Sequence, residues 1–168
     1  GPVTIAKPYQ YIALDMHIID ANFWIKECKD YTLPARMMFI VRPRLLTLVE
    51  CCTGAILAYL LVIKKEPNRW DVLRLIKKAI EPWQRMELTI PGLRYTDGAG
   101  MPSSVIKECR YAIWNVLLID NALAFLANDV RSGVKAVTGG TVNDGPGRWP
   151  YKRWPVESLF KLIEEHGY

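Results

Sequence analysis

Residues 45–63 read LLTLVECCTGAILAYLLVI, and the way this run folds decides the class of the protein. It carries one formal charge, Glu50, with Arg36, Arg42 and Arg44 ahead of it and Lys64 and Lys65 behind it. Two apolar rows at heptad spacing can be drawn along it. One is Leu45, Leu48, Cys52, Ala55, Tyr59 and Val62; the other is Leu46, Val49, Thr53, Ile56, Leu60 and Ile63. A helix with both rows is apolar over most of its circumference and needs partners on several sides. It is either the central helix of a bundle or a membrane span. About 20 apolar residues cross the hydrocarbon core, and the run comes close to that. Glu50 near its middle is costly in lipid, however, and the other segments are amphipathic and charged. The run is therefore read as a buried bundle helix, and no membrane partner is expected.

The flanking segments supply partners for such a helix. A first helix is predicted over residues 9–29, with Ile12, Met16, Ile19 and Phe23 in one row and Leu14, Ile18, Ala21, Ile25 and Cys28 in a second. The central run belongs to a second helix that begins near Ala35, is kinked at Pro43 and ends before Pro67. Asn68 is a good N-cap for a third helix, with Asp71 three residues on. That helix has Leu73, Ile76, Ile80 and Trp83 in its seam, a kink at Pro82 and an end at Pro91. Residues 92–102, GLRYTDGAGMP, are turn chemistry. A fourth helix is predicted from Ser103 or Ser104 to about Val130, along Val105, Cys109, Ala112, Val116, Ile119, Leu123 and Leu126. The composition then shifts to glycine and proline. The expected fold is all-α: an antiparallel up-and-down four-helix bundle over residues 3–133. Residues 134–168 add an aromatic-basic arm and a short terminal helix.

Composition and motifs narrow the function. The chain is too hydrophobic, at 51%, to be disordered, and its net charge of +5 suits a polyanion partner. Cys28, Cys51, Cys52 and Cys109 form no CxxC pair and are read as reduced thiols of a cytoplasmic protein. No signal peptide is read at the start. With two histidines, His17 and His166, no metal or other cofactor is expected. No phosphate-cradling glycine loop, GxSxG or ExxH spacing is present, so no catalytic residue is assigned and the protein is read as not an enzyme. Glu50 is expected to find a cation or hydrogen-bond donor inside the core.

What remains is cationic and aromatic. Arg36, Arg42, Arg44, Arg69, Arg74, Lys77, Lys78 and Arg85, with Arg148, Lys152 and Arg153 in the arm, are candidates to neutralise phosphates. Trp149, Tyr151 and Trp154 can stack on unpaired bases or anchor a protein partner. The first option predicts a nonenzymatic binder of RNA or single-stranded DNA. The second predicts an adaptor or structural subunit that assembles through its tryptophan-containing arm.

Over residues 9–131 the order of elements resembles the accessory variability determinant (Avd) proteins of diversity-generating retroelements. The points of likeness are the Leu33-Pro34 turn leading through arginines into a long apolar helix, the basic, tryptophan-containing third helix, and the Met-Pro-Ser-Ser entry to the fourth. The resemblance implies four-helix bundles assembled as a homopentameric barrel with a positively charged surface, which binds a reverse transcriptase and its template RNA and supports cDNA synthesis. Arg36, Arg42, Arg44 and the third-helix cations would be its contacts.

Overall fold

The computed structural model describes residues 7–27, 36–64, 66–119, 123, 130–133, 135 and 141–143. The chain is α/β and built on a sheet. Its elements are β1 (Tyr11–Ile18), β2 (Asn22–Glu27), β3 (Arg36–Val41), β4 (Arg44–Glu50), β5 (Ile56–Val62), α1 (Arg69–Ile80), a single turn α2 (Pro102–Val105), a 3-10 turn (Lys107–Cys109), β6 (Val116–Ile119) and β7 (Thr141–Asn143). A five-stranded sheet has the order β5-β4-β1-β6-β7, and β2 pairs with β3 as a separate two-stranded ribbon. β4 runs antiparallel to both β1 and β5, whereas β6 runs parallel to β1 and β7 parallel to β6. Four strands therefore point one way and β4 points the other.

This overturns the four-helix bundle. The run at 45–63 is two strands, β4 and β5, joined by a tight turn. Gly54 takes a left-handed φ of 74° in that turn, which a residue with a Cβ adopts only at a cost. Its N–H reaches the Glu50 carbonyl at 2.8 Å, and the Glu50 N–H reaches the Ala55 carbonyl at 2.8 Å. A continuous apolar run fits helix and strand templates alike, because any two spacings can be drawn through it. Burial on both faces produces the same pattern in a strand, and all six residues from Leu45 to Glu50 are buried. The predicted first helix is likewise the strands β1 and β2. The predicted fourth helix begins as the single turn α2, is interrupted, and gives way to β6. The bundle implied by the retroelement resemblance falls with these corrections.

The third helix does form, and its start lies where the sequence places it. The Asn68 side chain accepts the N–H groups of Trp70 and Asp71, and the Asp71 carboxylate accepts the N–H of Asn68 at 2.7 Å, closing a capping box. The helix ends at Ile80, ahead of Pro82. Trp83 thus lies in the following loop, and the buried face is Val72, Leu75, Ile76 and Ala79 with Asp71.

That face packs on one side of the sheet, against Leu46, Leu48, Leu57, Ala58 and Val62 of β4 and β5. Ile12 and Leu14 of β1, Leu117 and Ile119 of β6, Trp114, Leu123 and Val130 complete the core. On the opposite side of the sheet a second, smaller cluster joins Ile19, Leu45 and Val49. Beyond the end of β1 and the start of β4 the chain continues as the β2–β3 ribbon. The Ile19 N–H to Pro43 carbonyl bond (2.8 Å) and the Arg42 N–H to Ala21 carbonyl bond (3.0 Å) carry the pairing across the junction. Among the described residues, no helix is long and apolar enough to cross a membrane.

Candidate functional site

β1 is the middle strand, and its sequence YIALDMHI places one carboxylate, Asp15, among apolar neighbours. Alternation sends Ile12 and Leu14 into the main core and leaves Ala13, Asp15 and His17 on the other face, each half-buried. The carboxylate is oriented by its own backbone: Asp15 Oδ1 accepts the Met16 N–H at 2.7 Å. Across the sheet its antiparallel neighbour is Thr47 of β4, which in turn pairs with Tyr59 of β5.

The parallel neighbour, β6, matters as much. Its register sets Tyr11 beside Val116, and ends with Leu14 beside Ile119. The residues that follow these two in sequence are both aspartates, Asp15 and Asp120. Asp120 itself lies outside the described residues. In open α/β sheets, ligands bind at the carboxyl ends of parallel strands. β1, β5 and β6 all end on the side where Asp15 sits.

The same end of the sheet collects charge. Arg44 opens β4 opposite Ile18 and Val62 and bonds Glu66 at 2.8 Å. Arg42, exposed and at a left-handed φ of 53°, pairs with Asp20 at 3.3 Å. Lys64 bonds the Asp71 carboxylate at 2.7 Å. α1 starts at this end, and its outward side carries Arg69, Arg74, Lys77 and Lys78, all exposed. The Arg69 guanidinium lies 4.9 Å from the Trp70 ring centre and the Lys78 ammonium 5.4 Å from that of Tyr59, so both cations sit on aromatic faces. Lys77 is loosely paired with Glu81 at 3.7 Å.

The other cationic candidates are dispersed. Arg85 is on the loop after α1, 5.3 Å over Tyr95 and bonded to the Ala99 carbonyl at 3.1 Å. With Trp83, Gly98, Ala99, Ser104 and Val105 it lines an open cavity of about 220 Å³. Arg36 opens β3 opposite Glu27, on the separate ribbon. Arg148, Trp149, Tyr151, Lys152, Arg153 and Trp154 lie outside the described residues. The structure thus gathers the α1 cations on one surface and leaves Arg36 and Arg85 apart from it. A helix over residues 9–29 gives Asp15 no role, because it falls outside both apolar rows. The available signal was period-two alternation, Ile12-Leu14-Met16, around a carboxylate, repeated in brief by the Val-Leu-Leu-Ile-Asp run at 116–120.

Glu50, the buried carboxylate of the central run, has a different role. It is 1% exposed. Its Oε1 accepts the N–H groups of Tyr9 (3.2 Å) and Cys52 (3.0 Å), and its Oε2 accepts the N–H and hydroxyl of Thr53 (both 2.7 Å). It ties the β4–β5 turn to the chain entering β1. Close by, burial first, and then the neighbouring Cys109 thiol and the Glu50 charge, push the Tyr9 phenol well above its ordinary range.

No family model matches the chain, and no curated protein matches it. Among solved structures it is similar to the catalytic core domain of BIV integrase, at 14% identity and a TM-score of 0.50, over 94% of this chain and 68% of that one. At that identity the likeness concerns the fold, and it agrees with a mixed sheet covered by helix.

Proposed function

We propose that this chain is the core of a metal-dependent enzyme that cuts or joins nucleic-acid strands by phosphoryl transfer. The observation that carries the reading is the β1–β6 register, in which paired neighbours Leu14 and Ile119 are each followed by an aspartate. The catalytic core named in the structural comparison supports it at the level of fold. Asp15 within β1 and Asp120, the residue after β6 in sequence, offer hard carboxylate oxygens of the kind Mg²⁺ and Mn²⁺ prefer. Asp15 and Asp120 would hold the ion, and Asp15 fits the task because it is half-buried and already oriented by the Met16 N–H. A bound divalent ion supplies neutralisation of phosphate charge and activation of an attacking water.

The rest of the work belongs to the chain. On α1, which covers the sheet face opposite Asp15, Arg74, Lys77 and Lys78 would neutralise phosphates farther along the nucleic-acid strand, and Trp70 and Tyr59, backed by Arg69 and Lys78, offer aromatic faces to bases. The test incubates end-labelled single-stranded and duplex oligonucleotides, DNA and RNA, with the purified protein and Mg²⁺ or Mn²⁺. Metal-dependent strand cleavage or joining is expected, and its loss in Asp15→Asn and in Asp120→Asn with nucleic-acid binding retained. A wild-type protein inert with both metals, or an Asp15→Asn variant as active as wild type, refutes the reading.

A second reading is favoured by the exposed cations of α1 taken alone: a nonenzymatic nucleic-acid-binding accessory protein that associates with itself or with a reverse transcriptase. It predicts salt-sensitive binding that Asp15→Asn leaves intact and no metal-dependent chemistry in any variant.

A further inference from the structure

Thr47 is 1% exposed, and its hydroxyl is buried with no hydrogen-bond partner. A valine would fill the same space in a strand without stranding a polar group, so a threonine there calls for an explanation. The register supplies one. Thr47 is the direct antiparallel partner of Asp15, and side chains paired in this way stand on the same face with Cβ atoms about 4.5–5.5 Å apart. Along β4 its neighbours on that face are Leu45 and Val49, both buried and apolar. Across β1 the flanking residues on the face are Ala13 and His17, and on the β5 side it meets Tyr59. The carboxylate directly opposite is the acceptor that a threonine hydroxyl at this position can serve.

We propose that Thr47 is a positioning residue for the Asp15 carboxylate, its hydroxyl donating a hydrogen bond that fixes the carboxylate when a divalent ion is bound. This rests on the carboxylate reading above. The Met16 N–H holds Oδ1, and the Thr47 hydroxyl would add a donor from a different strand. Outer partners of metal-ligating carboxylates commonly set metal affinity within a factor of about 10–100, which gives the size of the expected effect.

The experiment titrates Mn²⁺ by calorimetry into wild type, Thr47→Val, Thr47→Ser and Asp15→Asn, with thermal unfolding of each in metal chelator. Thr47→Val should bind Mn²⁺ about 10- to 100-fold more weakly than wild type while its metal-free melting temperature is equal or higher. Thr47→Ser, which keeps the hydroxyl, should restore most of the affinity. Its readout holds even if the valine variant folds poorly. Equal Mn²⁺ affinity in wild type and a folded Thr47→Val overturns the role of Thr47 and leaves the carboxylate reading standing. A Thr47→Ser variant as weak as the folded valine variant also overturns it, since the hydroxyl is then not the cause. Wild type that binds no Mn²⁺, or binds it no better than Asp15→Asn, overturns both.

Discussion

Replacing Glu50 should be among the most damaging single changes available to this chain. Its carboxylate accepts from three backbone N–H groups and one hydroxyl, on two segments separated by about forty residues in sequence. Charge-assisted hydrogen bonds of this kind contribute about 1.5–3 kcal/mol each when fully buried. Cys52 and Thr53 are exposed, however, so their N–H groups can turn to water once the carboxylate is gone, and each bond counts near or below the lower end. Glu50→Ala is expected to cost about 4 kcal/mol, a large share of the ~5–15 kcal/mol that holds a domain folded. Glu50→Gln keeps the shape but presents an amide NH₂ to one pair of donors, so about half the loss, ~2 kcal/mol, is expected. Urea unfolding followed by tryptophan fluorescence reads both. With an m-value of about 2 kcal/mol/M the midpoint falls by ~2 M for alanine and ~1 M for glutamine, at unchanged m. A glutamine variant as stable as wild type would show that the charge is not what the turn requires. An alanine midpoint within ~0.3 M of wild type would refute the argument outright.

Three other outcomes follow from the same geometry. Asn68→Ala removes the acceptor of the α1 capping box and should cost about 1 kcal/mol, measured by the same unfolding curves, with Asn68→Asp close to neutral. Arg74→Gln combined with Lys78→Gln should weaken oligonucleotide binding uniformly across sequences and reduce the slope of log affinity against log salt by about 2, which filter binding at several salt concentrations measures. The Tyr9 phenol, raised chiefly by burial, keeps its proton in the folded protein at pH values where the unfolded chain loses it, near 10. Its contribution is full below pH ~10 and is lost as pH rises above it, so Tyr9→Phe should lose stability less steeply than wild type between pH ~9 and ~11.

Local signals are legible in the sequence because they act locally. Asn68 and Asp71 announce the start of α1 through a capping box closed within four residues, and Gly92 and Gly98 take the left-handed turns expected of that loop. What failed was period. The heptad rows through residues 45–63 were real spacings in a segment where nearly every residue is apolar, so they carried little information. Gly54, preceded by three small or polar residues, was the one punctuation mark that could have split the run into two strands of the usual length. Reading β1 as a helix then hid Asp15. In a helix it stands outside both apolar rows; in a central strand it is a carboxylate among apolar neighbours beside a parallel partner. Glu50 is expected to meet a cation or a hydrogen-bond donor; its partners are the Thr53 hydroxyl and three backbone amides, and amides are spelled out by no residue pattern. The pairing of β1 with β6 is beyond any local reading, since it joins positions more than a hundred residues apart.

That distance also sets an order of events in folding. β1, β4, β5 and α1 lie within the first eighty residues and can pair as soon as they are made, while β1 must wait for Val116 to Ile119 before its other edge is covered. At synthesis rates of about 5–20 residues per second the open edge, lined by Ile12 and Leu14, is exposed for seconds, long enough for a strand from another chain to add there. Closing so long a loop is also the slow step expected on refolding. The divalent-ion affinity proposed above should therefore return with the last kinetic phase, after the helix signal and together with the burial of Trp114, which lies just ahead of β6.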